Sequence, residues 1–188
     1  TLILTAFLEG YYLTNGLMTP NLKNHGLGNN NAITDSIIVE LRDSNQTDSV
    51  VAVIKSQLNI NGTSVCYFPG IIGSFYLVLK HYNTLETWSA NPIVLSVNPT
   101  YYNFSNSSAK AYGNNMKEVE PGIFALYSGD LNQDENIDLL DAAEIESRIN
   151  NFDSCYLPSD LNGDGNTDLL DFPILESNIE GFVFSLHP

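Results

Sequence analysis

"DLNQDENIDLLD", residues 130–141, returns thirty residues later as "DLNGDGNTDLLD", residues 160–171. Extended to 130–152 and 160–182, the two segments share 13 of 23 positions, too many for coincidence. Numbered from the first Asp of each dodecamer, side-chain oxygens stand at positions 1, 3, 5, 9 and 12. In the first copy these are Asp130, Asn132, Asp134, Asp138 and Asp141; in the second they are Asp160, Asn162, Asp164, Asp168 and Asp171. Oxygens at alternate positions of a tight loop converge on a point, and position 7, Asn136 or Asn166, faces that point through its backbone carbonyl. Such a set of hard oxygens on a flexible loop describes a calcium site, hence two Ca2+ ions, rather than a magnesium or zinc site. Without a cation, carboxylates clustered in this way raise one another's pKa values. The competing reading is a solvated acidic surface or a pair of Asx-rich turns, and it leaves the position-by-position match unexplained.

Charge divides the chain in the same place. Of its 188 residues, 1–127 hold eight acids and six bases, while 128–188 hold fourteen acids and Arg148 as the one base. Nine acids lie inside the two loops, so a bound cation accounts for most of the net charge of −15. This asymmetry predicts two jobs and two domains, a sandwich over 1–127 and a paired calcium-binding domain over 128–188. An acidic balance excludes nucleic acid as a partner, because phosphate needs the opposite sign. No apolar run approaches the roughly 20 residues that span a bilayer, so membrane insertion is not expected. Thr1 in place of Met marks a processed chain or a fragment, and "TLILTAFLEG" lacks the basic start of a signal peptide. Cys66 and Cys155 have no CxxC spacing, which leaves a disulfide or two free thiols.

The first two-thirds reads as β. "SIIVELR" sets Ile37, Val39 and Leu41 opposite Glu40 and Arg42, and "SFYLVLKHY" sets Phe75, Leu77 and Leu79 opposite Tyr76, Val78 and Lys80. Further strands are expected over 2–9, 50–60, 64–68, 85–90, 93–97 and 123–127, with a short helix or loop over 103–122. Turn-rich separators between short strands predict an antiparallel β-sandwich. Beyond each dodecamer the period changes to a helical one, Ile145, Ile149 and Phe152 in one copy and Leu175, Ile179 and Phe182 in the other. Pro173 falls early in the second helix, where a missing N–H costs little. The fold class is therefore mainly β, with a small α domain of two calcium loop–helix repeats at the end.

D-x-N-x-D-G-x-x-D-L-L-D followed by a helix, twice in tandem, resembles the type I dockerin repeat, an EF-hand-like loop with its exiting helix alone. The resemblance covers residues 129–182 and implies two calcium ions on the residues named above. It has two departures. Position 6, where the family has the Gly of a sharp turn, is Glu135 in the first loop and Gly165 in the second, which predicts a strained, weaker first site. On the first helical turn, where cellulosomal dockerins carry Ser/Thr-type residues for cohesin, this chain has Ala142–Ala143 and Phe172–Pro173. More broadly, "LTAFLEGYY", "YLVLKHYNTLETWSANP" and "SGDLNQDENIDLLD" resemble the C-terminal module of large secreted surface proteins of Bacteroidota. That likeness implies an extracellular, cell-surface home and no enzymatic activity.

Nothing else in the chain carries chemistry. His25, His81 and His187 are scattered, His81 reading as a strand-end residue, and GxSxG, P-loop and GxGxxG motifs are absent from the sequence. Tyr11, Tyr12, Tyr82, Trp88, Tyr101 and Tyr102 form either a sugar-stacking platform or a set of amphipathic rings packed at sheet edges and interfaces. The expected function is a non-catalytic, calcium-binding structural or adhesive surface module. Its partners are other subunits or modules of a surface assembly, with a fibre or array joined through residues 1–9 as one form. The alternatives are a carbohydrate-binding module with a glycan ligand and a dockerin that docks a cohesin-like partner.

Overall fold

The structure, a computed structural model, describes residues 1–151, 153 and 156–188. Its largest sheet is built by the two alternating stretches. β4 (Ile33–Asp43) and β7 (Gly73–His81) lie side by side and antiparallel, Val39 opposite Leu79 and Leu41 opposite Leu77. β5 (Val50–Asn59) pairs with β4, while β8 (Thr84–Trp88) and β9 (Ile93–Leu95) pair with β7. The turn from β4 to β5 closes on Asp43, whose Oδ1 accepts the N–H groups of Asn45 and Gln46.

A second sheet places β1 (Leu2–Thr5) between β6 (Thr63–Cys66) and β10 (Thr100–Asn103). β1 runs antiparallel to β6 but parallel to β10, which departs from the all-antiparallel expectation. The parallel pair is possible because the long excursion from β1 to β10 passes through the other sheet, which supplies the crossover that parallel strands require. Leu2, Leu4 and Cys66 from this sheet join Ile37, Val39, Leu41, Leu77 and Leu79 from the other in one buried cluster. Each such Leu or Ile contributes about 1.5–3 kcal/mol relative to exposure. β1 is thus the central strand of its own sheet, paired on both edges, and presents no free edge to a neighbour. Cys66 is sealed in this core, and the pairing with Cys155 considered above lies outside the described residues.

Several local elements were not read from the sequence. Residues 12–18 form a small hairpin, β2 (Tyr12–Thr14) and β3 (Leu17–Met18), turning through Asn15 and Gly16 at φ 55 and 71. A four-residue helix α1 (Asn21–Asn24) follows. Neither carries an alternation long enough to read in the sequence. Over 103–122, two 3-10 turns (Ser108–Lys110 and Tyr112–Asn114) precede a strand, β11 (Lys117–Glu120), which pairs with β12 (Ile123–Ala125).

The helices α2 (Leu139–Asn150) and α3 (Phe172–Glu180) pack a second, smaller cluster that includes Leu131, Ile137, Ile145, Leu161, Leu175 and the sandwich residue Leu85. Ile145 and Leu175 are fully buried as the spacing predicts, and Pro173 sits in the first turn of α3. Phe182 is not on that face. Helix α3 stops at Gly181, Phe182 adopts φ 51, and its ring is 85% exposed; Phe152 lies outside the described residues. The described residues hold no helix long and apolar enough to cross a membrane.

The two clusters meet through polar contacts and close backbone approach. Glu9 Oε2 accepts from Ser128 N–H and from Asn178 Nδ2 on α3, which also donates to the Ser128 carbonyl. Asp35 Oδ1 accepts the Tyr156 hydroxyl at 2.6 Å. Burial works against ionisation of Asp35, yet His81, Tyr156 and the Ser36 N–H together hold its pKa below the ordinary value. At Gly10 a Cβ would stand 2.0 Å from the Leu161 carbonyl oxygen, so only glycine lets the two backbones touch there.

Gly10→Ala is therefore expected to lower stability by about 1–3 kcal/mol, because a backbone carbonyl cannot give way. Gly28→Ala, whose Cβ would meet nothing closer than Leu22 at 4.0 Å, is the control and should stay within about 0.5 kcal/mol of the parent. Thermal denaturation of the two variants checks the difference.

Candidate functional site

The two dodecamers share most of their internal hydrogen bonds. Asp130 Oδ1 accepts the Asp134 N–H and its Oδ2 the Glu135 N–H; Asp160 does the same with Asp164 and Gly165. At the far end Asp141 turns back, with Oδ1 accepting from Leu131 and Asn132 and Oδ2 from Asp138. Asp171 repeats this with Leu161, Asn162 and Asp168. Between them Asn132 and Asn162 accept from Asp134 and Asp164, which accept in turn from Asn136 and Asn166. Asp138 and Asp168 accept the N–H groups of Leu140 and Leu170 at 2.7 Å, and Asp138 with Asp141 makes a capping box at the start of α2.

The first and last Asp of each loop are folded inside it, with Asp130 at 2% exposure and Asp141, Asp160 and Asp171 at 0%. The middle residues Asn132, Asp134, Asn136, Asp164 and Asn166 stay at the surface, with Asp138, Asn162 and Asp168 half-buried. Among the described residues no three acid, His or Cys side chains gather into a metal-holding cluster. The carboxylates are turned instead to the N–H groups of their own loop. Burial, and secondly the charge of Asp141, pushes the Asp130 carboxyl up to about 7. Burial likewise pushes Asp171 to about 6, with Asp160 adding to the shift, and it raises Asp141 and Asp160 as well. Buried carboxyl oxygens that meet backbone N–H groups and, at Asp160, the His25 imidazole are a donor set that suits a hard cation.

Backbone conformation separates the copies. Positions 4 and 6 have positive φ in both loops: Gln133 at 58 and Glu135 at 71, against Gly163 at 72 and Gly165 at 102. A non-glycine residue in that region costs roughly 1–2 kcal/mol, so the strain expected at Glu135 is present and Gln133 adds to it. Position 4 escaped the sequence reading. A Cβ on Gly163 would press on Thr19 and the Tyr11 ring at 2.7 and 2.9 Å, so glycine there serves contact with the sandwich as well as the turn.

The surroundings differ too. Asn24 Nδ2, at the end of α1, donates to the Gly163 carbonyl at 2.7 Å, and Asn83 Nδ2 donates to that of Asp160. The first loop is held by the C-terminal tail: Ile137 N–H donates to the Val183 carbonyl and Ser185 N–H to that of Glu135. Gln133 Nε2 reaches the carbonyls of Asp130 and Thr84.

On the first helical turns, Ala142 is buried and Phe172 half-buried, leaving Ala143 and Pro173 outside. The surface there belongs to residues that the sequence reading passed over as part of the loop pattern. Leu139 and Leu140 are 73% and 63% exposed, and Leu169 and Leu170 are 73% and 66% exposed. The aromatic set does not form a platform. Tyr11 is buried, and Trp88 is covered by Arg42, Tyr76 and His187. Tyr101 stands apart and exposed on β10. His81 is a buried strand-end residue bonded to Asn83.

Residues 128–180 match the family model of the dockerin type I domain, so the C-terminal part is dockerin-like. Across nearly its full length the chain is similar in fold to chains of two solved complexes, a C-terminal and an N-terminal interface mutant of the type II Cohesin-X-Dockerin complex from Acetivibrio cellulolyticus. The TM-scores are 0.56 and 0.53 at 17% and 18% identity, covering 94% and 95% of this chain and 93% and 95% of those. No curated protein matches the chain.

The raised aspartates fix the sign of a pH effect in metal-free protein. Asp130 binds its proton more tightly folded, at about 7, than unfolded, near 3.8, and Asp171 does so at about 6. Stability should therefore fall as pH rises through that window. Melting curves in chelator between about pH 4.5 and 7.5 check this. Asp130→Asn should flatten the slope and raise the melting temperature at the upper end; a lower melting temperature there contradicts the assignment.

Proposed function

We propose that the chain is a non-catalytic docking module. Residues 128–188 form a domain that closes two loops on calcium ions and offers paired leucines to a cohesin-like protein. Residues 1–127 form the sandwich that braces it. The observation that carries this reading is the leucine pairs. Four large apolar side chains stand in water at equivalent positions of two equivalent repeats. A surface that repeats its apolar residues by copy is built to be covered. The dockerin type I match over the same residues supports a protein partner, and the complexes of similar fold contain cohesin.

In each loop the ligands are those at positions 1, 3, 5, 9 and 12 and the carbonyl at position 7: Asp130, Asn132, Asp134, Asn136, Asp138 and Asp141, then Asp160, Asn162, Asp164, Asn166, Asp168 and Asp171. Calcium supplies the positive charge that the buried aspartates lack, which N–H dipoles orient but do not neutralise. Loop sites of this kind match the millimolar calcium outside cells, and we infer an extracellular, surface-assembly setting. Assembly in this reading proceeds by docking, since β1 is paired on both edges. A glycan ligand is disfavoured by the covered Trp88.

Titration calorimetry should resolve two calcium sites, with the second the tighter because Gly163 and Gly165 carry its turn without strain. Asp160→Ala should then cost more total affinity than Asp130→Ala, and a tighter first site refutes the ordering. Chelation should lower the melting temperature and reduce helical content; a single unchanged transition sinks the calcium reading. For docking, the immobilised chain should retain cohesin modules encoded in its own genome in calcium and release them in chelator. Replacing Leu139, Leu140, Leu169 and Leu170 by Ser should weaken that binding at least about tenfold, or about 1.4 kcal/mol, with the melting temperature unchanged. Failure to bind any such module in calcium removes the docking role.

A further inference from the structure

The two loops share most of their internal bonds, yet one is met by a side chain from outside that has no counterpart at the other. His25 directly follows α1 in the sandwich, and its imidazole is 99% buried against the second loop. Its Nε2 lies 2.8 Å from Asp160 Oδ2, out of line for a hydrogen bond, and has no hydrogen-bond partner. The ring is held from the side by Tyr156, edge-on at 5.4 Å, and Tyr156 is itself anchored by its hydroxyl on Asp35. Asn24, the preceding residue, donates to the Gly163 carbonyl and to Thr19. Asp160 Oδ2 also takes the Gly165 N–H, whereas Oδ1 faces the Gly163 and Asp164 N–H groups along the loop. Nothing equivalent meets Asp130: among the described residues its carboxylate is approached by loop N–H groups alone. His187, the one histidine near the first loop, faces Glu135 at 3.6 Å instead.

We propose that His25 is a positioning residue of the second calcium loop. Sealed against Oδ2 with its Nε2 otherwise unpartnered, the imidazole restricts the rotation of the Asp160 carboxylate. A small turn of the ring or of the carboxylate as the loop closes on its cation converts this contact into the hydrogen bond that the buried nitrogen lacks. Donors behind a metal-binding carboxylate fix its orientation, and their loss typically lowers metal affinity about 10–100-fold. The calcium affinity of the second loop is thereby set from the sandwich, while that of the first is not. This inference rests on the calcium reading of the loops.

Calcium titration calorimetry on the full chain tests it, in two backgrounds. Asp130→Ala isolates the second loop and Asp160→Ala isolates the first. His25→Ala should weaken the second loop about tenfold or more and leave the first within about twofold. His25→Gln, which restores an N–H donor, should recover most of the loss. Three results overturn the inference: an unchanged second loop, equal weakening of both loops, or a glutamine variant no better than alanine. Should His25→Ala fail to fold, Asn24→Ala, at an exposed position of the same clamp, must weaken the second loop alone, and unchanged affinity there overturns the proposal. If the unsubstituted chain takes up no calcium, the calcium reading fails first and this inference with it.

Discussion

Four aspartates that are nearly sealed from water set the terms on which the C-terminal part can fold. Asp130, Asp141, Asp160 and Asp171 each accept two or more backbone N–H groups, and the last sixty-one residues offer them no base but Arg148. That arginine is engaged elsewhere, with Glu144 and Asp153. Dipoles can orient a carboxylate but leave its charge in place, and burial makes that charge expensive. The hydrogen-bonded loop is therefore a frame that closes easily when a positive ion or a proton is present. The contacts outside the loops hold that frame shut.

Those outer contacts break the symmetry of the repeat. The C-terminal tail laces the first loop by backbone pairing and then runs on to Glu86 and Trp88 on the large sheet. The second loop is pressed into the sandwich between Gly10, Thr19 and the Asn24–His25 corner. Sequence divergence between the copies follows the difference. Gln133 has a side chain that spans to the Thr84 carbonyl on β8, and Gly163 has none because the Tyr11 ring occupies the space. Position 4 of the loop thus records which neighbour each copy packs on.

The repeat, its loop–helix form and the face carried by Ile145 and Leu175 could be read from the chain, because they depend on spacing within a dozen residues. The long strands β4 and β7 could be read for the same reason. The joint could not. Gly10, Asn24, His25 and Asn83 are brought to the second loop from positions far away in the chain, and none belongs to a periodic pattern. The parallel pairing of β1 with β10 is hidden in the same way, since alternation gives a strand its faces but not its neighbour. Trp88 and the tyrosines stayed ambiguous for a different reason: an aromatic residue has the same spacing whether it faces a sugar or the returning tail.

Loop and surface are tied together by one hydrogen bond per repeat. Leu139 and Leu140 occupy positions 10 and 11, between the position 9 and position 12 aspartates, and Leu169 and Leu170 occupy the same places in the second copy. Asp138 Oδ1 takes the Leu140 N–H, and Asp168 Oδ1 takes that of Leu170. The carboxylates assigned to the cation therefore also cap the turn that carries the leucines. In the first repeat that bond is the N-cap of α2, worth about 1 kcal/mol to the helix it starts; in the second it closes the turn that leads into α3. Leu139 and Leu140 lie on the first turn of α2, and Leu169 and Leu170 on the turn just before α3. Loosening either turn scatters the apolar surface before the helix itself is lost. In the proposed docking role, calcium acts on the partner at this step: it fixes the two turns, and the turns fix where the leucines of each repeat stand.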